Sequence, residues 1–115
     1  MNRIDRCNEK FKELFGGTPV TTEGTDPEFM RILQRFIFGE VCYTGSLDNR
    51  MRELITVTVL TVNQTLPQLK AHVIGALKTG STKEEVVCAL VHAMPYMGIP
   101  KLFNALNCSK DILAE

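Results

Sequence analysis

Two explicit helix starts constrain this chain more than any other feature. Thr82-Lys83-Glu84-Glu85 is a capping box, in which Thr82 and Glu85 each satisfy a free donor at the start of a helix. Asp26-Pro27-Glu28 places a capping aspartate, a proline at the first helical position and an acid in the first turn. Apolar residues at helical spacing follow both. Phe29, Ile32, Leu33, Phe36 and Ile37 form an amphipathic stripe that should fade near Tyr43-Thr44-Gly45. Val86, Val87, Leu90 and Ala93 run towards Pro95, which should kink or end that helix. The same spacing predicts a helix from Asp5 to Phe15, stopped by Gly16-Gly17, and one from Leu66 to Lys78, closed by Gly80. Pro100 should open a last helix carrying Leu102, Phe103, Leu106 and Ile112. Between the first two helices, Gly16 to Thr25 reads as a loop.

One segment resists local rules. Leu54 to Val62 is β-branched and partly alternates apolar residues with threonine, which is the pattern of a strand. Asp48 is nevertheless a plausible N-cap, and Arg50 to Leu54 favours helix. Propensity alone does not choose between them.

The chain has 115 residues, a length that suits one domain. Its 13 basic and 13 acidic side chains cancel, which leaves no electrostatic footprint for nucleic acid or an anionic membrane. With 44% hydrophobic and 23% charged residues, it has the make-up of a globular chain with a real core. No apolar run approaches the roughly 20 residues of a membrane span. The opening MNRIDRCNEK lacks the apolar stretch of a secretory signal. Cys7, Cys42, Cys88 and Cys108 form no CxxC and no zinc-ligand spacing, so a reducing cytoplasm fits better than an oxidising compartment. No Gly-rich phosphate loop and no metal-ligand cluster is present, since Gly39, Gly45, Gly75, Gly80 and Gly98 are dispersed.

Several short blocks together carry a resemblance. They are Leu47-Asp48, Arg52-Glu53-Leu54-Ile55-Thr56, Leu69-Lys70-Ala71-His72-Val73 and Ala76-Leu77-Lys78-Thr79-Gly80. Glu84-Glu85-Val86, Tyr96-Met97-Gly98-Ile99-Pro100 and Asn104-Ala105-Leu106 complete the order. Over about residues 29–112 the chain resembles the carboxymuconolactone decarboxylase family, related to alkylhydroperoxidase D. The resemblance implies an all-α helical bundle, no cofactor, and a dimer-based ring such as a trimer or hexamer. It also makes Leu54 to Val62 a helix, because burial in a helix pair overrides β propensity.

The resemblance points to Glu53 and His72 as catalytic residues. If its segment is helical, Glu53 shares a face with Val57 and Leu60, which favours a partly buried acid. A first-turn acid favoured by the helix dipole is the alternative. His72 sits at the edge of the Leu69, Val73 and Ala76 stripe and suits proton transfer near neutral pH. A structural histidine donating one hydrogen bond is its alternative. In the peroxidase branch an acid precedes a CxxC by twelve residues, and a histidine follows it by four. Here Thr65 and Gln68 stand at the two cysteine positions, which removes peroxidase chemistry of the usual type. They leave a polar pocket around a small-molecule substrate.

The decarboxylase branch implies loss of carbon dioxide from a carboxylated lactone and protonation of the anion left behind. Arg50 or Arg52 could then hold a substrate carboxylate, against the plainer reading of a solvated first turn. Glu40 matches a family acid, with an ion-pair or capping role equally open. Tyr96, Met97 and Phe103 read as core or pocket wall, and Tyr96 as a substrate contact. Cys88 and His92, four apart, look more like a surface or interface pair than a thiol–imidazole couple. Three functions follow: a cofactor-free decarboxylase, a thiol peroxidase or disulfide reductase working through a distant cysteine, and a non-catalytic oligomeric binding protein. The breadth of the apolar stripes itself predicts self-association.

Overall fold

The structure is a computed structural model that describes residues 1–19 and 26–114. The described residues form seven α-helices and one 3₁₀ turn, with no strand. They divide into two compact units, Met1–Leu47 and Asp48–Glu115.

The first unit is a helix pair. Helix α1 (Arg3–Phe15) is capped by the Asn2 side chain, which accepts from the Asp5 N–H at 2.8 Å. Helix α2 (Pro27–Gly39) starts as its sequence dictates, with Asp26 accepting from the Glu28 and Phe29 amides. It ends at Gly39, short of the expected Tyr43, and a 3₁₀ turn occupies Val41–Tyr43. Gly39 is required there: a Cβ would come 2.7 Å from the Arg3 carbonyl oxygen. The core holds Cys7, Leu14 and Phe38, with the Phe11, Phe15 and Phe38 rings packed at centroid distances of 5.0–5.6 Å.

The stripe read on α2 is only half buried. Gln34 and Phe38 turn inward, whereas Phe29, Ile32 and Phe36 are 56%, 62% and 53% exposed. Of the loop expected over Gly16 to Thr25, residues 20–25 lie outside the described residues; Gly16 and Gly17 take φ of 79° and 68°.

The second unit holds α3 (Asn49–Val62), α4 (Leu66–Lys78), α5 (Lys83–Met97), α6 (Ile99–Cys108) and the short α7 (Lys110–Leu113). The contested segment is helical. Asp48 caps it, accepting from the Met51 N–H at 2.8 Å. The threonines that suggested a strand are satisfied inside the helix. Thr56, Thr58 and Thr61 each donate at 2.8 Å to the carbonyl four residues back. Val57, Leu69, Val73, Ala76, Val86, Leu90, Leu102 and Ala105 form the core, so α3 lies against a closed apolar interior. Full burial of a leucine or valine contributes about 1.5–3 kcal/mol, more than a β-branched residue loses in a helix.

Helices α3 and α4 both end in Schellman turns. After α3, the Gln64 and Thr65 amides donate to the Thr61 and Leu60 carbonyls. After α4, the Gly80 and Ser81 amides donate to Leu77 and Ala76. Gly80 takes φ +111°, whereas the first turn places Gln64 at φ +56°. The expected box opens α5, with both Thr82–Glu85 bonds present at 2.9 and 3.0 Å. Pro95 does not end α5. It lies in the last turn, so the helix forgoes one late hydrogen bond and runs on to Met97. The expected last helix is two: α6 stops at Cys108, Ser109 is its cap, and α7 follows. No helix of the described residues is long and apolar enough to cross a membrane.

Candidate functional site

Glu53 lies in the second turn of α3, not the first, so the helix-dipole reading of this acid does not apply. Its position one turn before Val57 aims it at the core, and its side chain is 4% exposed. A carboxylate taken that far out of water needs a partner. His72, nineteen residues along the chain, supplies it from α4: Nδ1 lies 2.9 Å from Glu53 Oε1. The imidazole is 19% exposed, so the pair is buried at its acid end and reaches solvent at its basic end.

An ionised carboxylate only accepts, so the Nδ1 atom facing Glu53 carries the hydrogen. This orients the ring and makes Nε2 the exchangeable position. The neutral ring takes a proton there, and the imidazolium gives one. Thr65 and Gln68 precede His72 on α4. Thr65 is the N-cap residue, half-buried and without a side-chain capping bond, and Gln68 is exposed.

The other expected site residues are placed differently. Arg50 does not present an open fork: it forms an ion pair with Glu85, which also accepts from the Thr82 amide. Arg52 is half-buried on the first turn of α3, its carbonyl accepting from Thr56. Glu40 forms an ion pair with Arg3 within the first unit, the plainer of its two readings. Tyr96 is 85% exposed and Phe103 is 66% exposed, so of the two readings, core or pocket wall, the core one fails for both. They fall on the outer faces of α5 and α6, and only Met97 of that trio packs against the core. Cys88 and His92 are both exposed.

Two cavities stand out, and neither takes in Glu53 or His72. One of about 330 Å³ in the first unit is lined by Arg3, Glu28, Arg31, Ile32, Arg35 and Phe36. The other, about 410 Å³, is an apolar groove between α3 and α5 that includes His92. Among the described residues no cluster of three or more His, Cys, Asp or Glu could hold a metal ion.

Sequence reasoning missed Gln64. Its amide nitrogen donates to the Thr61 and Lys101 carbonyls at 2.7 and 3.1 Å, and its oxygen accepts from Asn104 at 2.9 Å. Lys101 adds a bond to the Val62 carbonyl at 3.0 Å, placing a cation at the C-terminal end of α3. Together these fix the α3–α4 turn to α6. The residues after the last apolar position of α3, Asn63-Gln64, were the available signal of a left-handed turn.

An all-helical chain with a buried acid joined to an imidazole on the next helix thus defines a bundle with an acid–histidine pair. A profile of the carboxymuconolactone decarboxylase family matches residues 27–111, and the chain belongs to that family. It is similar to 4-carboxymuconolactone decarboxylase of Acinetobacter baylyi, 26% identical over 88 residues, covering 76% of this chain and 66% of that protein. An uncharacterised 15.0 kDa protein of Paracoccus denitrificans is 32% identical over 80 residues, 68% of this chain and 60% of that one. Nitrosuccinic acid decarboxylase of Metarhizium robertsii is 28% identical over 102 residues, 89% of this chain and 68% of that one. The matches therefore span about two thirds of the length of these relatives.

Proposed function

We propose that the protein is a cofactor-free decarboxylase acting on a small carboxylated molecule, with His72 as its general acid and Glu53 as the residue that positions His72. The 2.9 Å contact between Glu53 Oε1 and His72 Nδ1 is the observation that carries this reading. Two relatives named as decarboxylases support it, one for a carboxymuconolactone and one for nitrosuccinic acid. Both names denote loss of carbon dioxide from an acid, and the reading takes the carboxylate to leave a carbon conjugated with an electron-withdrawing group.

In the reaction, the bond between that carbon and the carboxylate breaks, and carbon dioxide leaves. The electron pair left behind is delocalised into a conjugated carbonyl or an adjacent nitro group. The His72 imidazolium then gives its Nε2 proton to a carbon of this delocalised anion and recovers one from solvent. Glu53 holds the ring through Nδ1, which fixes its orientation and leaves Nε2 for the proton transfer. Thr65 and Gln68 are the polar groups proposed to orient the substrate beside it, with Arg52 as a candidate for its carboxylate. Arg50, Glu40 and Tyr96 are not assigned a role, given the ion pairs and the exposure described above.

A thiol route is disfavoured by the positions of the cysteines. Cys7 is buried in the first unit, and burial pushes its thiol up from the ordinary range.

The test uses His72→Gln, because glutamine keeps a donor for the buried Glu53 carboxylate and cannot carry the proton. Release of carbon dioxide from a carboxymuconolactone or from nitrosuccinate should fall about 10²–10⁴-fold in a variant that still folds. An unchanged rate overturns the assignment.

A further inference from the structure

The α1–α2 cavity is built unlike the rest of the surface. Its lining has three guanidinium groups, Arg3, Arg31 and Arg35, and one acid, Glu28. Arg3 is committed to Glu40. Among the described residues, Arg31 and Arg35 form no ion pair, although Glu28 lies within one helical turn of Arg31. Setting Glu28 and Glu40 against the three arginines still leaves a net positive charge. Arg31 and Arg35 are four residues apart on α2 and so sit one above the other on one face, where like charges repel. Both are half-buried, so their field is less screened than that of a free surface charge. Ile32 and Phe36 form the remaining wall, and Phe36 brings an aromatic face into a cavity of about 330 Å³. That volume lies at the low end of small-molecule sites, about 300–1,000 Å³.

We infer that this cavity is a second binding site, for a small organic carboxylate with a flat apolar body. A carboxylate bridging Arg31 and Arg35 relieves their repulsion and matches the guanidinium fork in two directions. Its apolar body covers Ile32 and Phe36, which are otherwise exposed. An inorganic anion satisfies the arginines and leaves that wall in water. The carboxylate class therefore fits better than phosphate. The site uses only α1 and α2, and it stands apart from the chemistry proposed for Glu53 and His72.

Phthalate is the probe, with inorganic phosphate as control, in calorimetry and amide NMR titration of the full chain. Phthalate should bind saturably at millimolar concentration or below, with shifts concentrated in residues of α1 and α2. Arg31→Gln/Arg35→Gln should weaken it by roughly tenfold or more, the scale of one lost charge-assisted contact. His72→Gln should bind it as the unaltered chain does. Should the double variant fail to fold, Arg31→Lys/Arg35→Lys keeps the charge without the fork and should weaken binding by a smaller factor. The inference is overturned if phthalate does not saturate or if phosphate binds as tightly. It is equally overturned if the shifts fall in α3–α7, or if neither double variant changes the affinity.

Discussion

Glu53 and His72 divide the work of one site by their different access to water. The acid is almost wholly enclosed and gains its partner from another helix, whereas the imidazole keeps an edge in solvent. Removing the histidine altogether strands a buried carboxylate, at a cost of about 3–5 kcal/mol. His72→Ala should therefore lose stability as well as activity, and His72→Gln should lose chiefly activity; comparing their thermal unfolding separates the two effects. Glu53→Gln should leave the fold standing and lower the decarboxylation rate, because an amide can turn its NH2 towards Nδ1 and hold the ring in the wrong tautomer. The cysteines give a second check at this scale. Cys7 is buried, donates to the Gln34 carbonyl at 3.4 Å, and has its thiol pushed up by burial, while Cys88 is exposed. A disulfide reagent at neutral pH should label Cys88 readily and Cys7 only on unfolding. The Glu53–His72 pair was legible only through family spacing. The two residues stand nineteen apart on separate helices, and no local pattern joins them.

Among the elements, α3 shows how packing settles what propensity leaves open. A threonine in a strand-like alternation donates equally well to the carbonyl one helical turn back, and three of them do so here. The capping signals at Asp26, Asp48 and Thr82 were readable because each rests on a side chain and an amide two or three residues away. The outward turn of Phe29, Ile32 and Phe36 was not, because periodicity marks an apolar face without saying what covers it. Gln64 offers a measurement of the turn after α3. Gln64→Ala keeps the left-handed backbone and loses the side-chain bonds to Lys101 and Asn104. Gln64→Gly loses the same bonds and relieves the backbone. Both should destabilise, and the glycine variant should be the more stable by about 1 kcal/mol in urea unfolding. Equal midpoints would show that the turn is not strained. Between α4 and α7, the Asp111 carboxyl is held low by its hydrogen bond from Lys70, whose ammonium is raised in return. The contribution of that pair is therefore present at neutral pH. It is lost as acid protonates Asp111 and as base deprotonates Lys70, and the solvent around both side chains keeps it small.

At the scale of the molecule, each unit has its own core and each leaves apolar surface in water. Ile55, Val59 and Val91 are exposed on α3 and α5, and the groove between these helices is almost wholly apolar. Surface of that kind commonly belongs to a contact between chains. Light scattering should accordingly give a mass several times the 12.9 kDa of one chain, with a trimer or hexamer expected; a monomer contradicts this. Most of the helices were legible in the sequence from caps and stripes, whereas the helical reading of Leu54 to Val62 rested on the family resemblance. The split into two units and the arginine-lined cavity were not, since both depend on which helices pair. The central claim concerns the proton that His72 delivers, and it is tested most directly by following carbon dioxide release in the unaltered chain and in His72→Gln. Carboxymuconolactone and nitrosuccinate serve as substrates, and circular dichroism verifies the fold. Turnover by the unaltered chain, with a loss of about 10²-fold or more in the variant, is the predicted result. Equal turnover by the two folded proteins would contradict it.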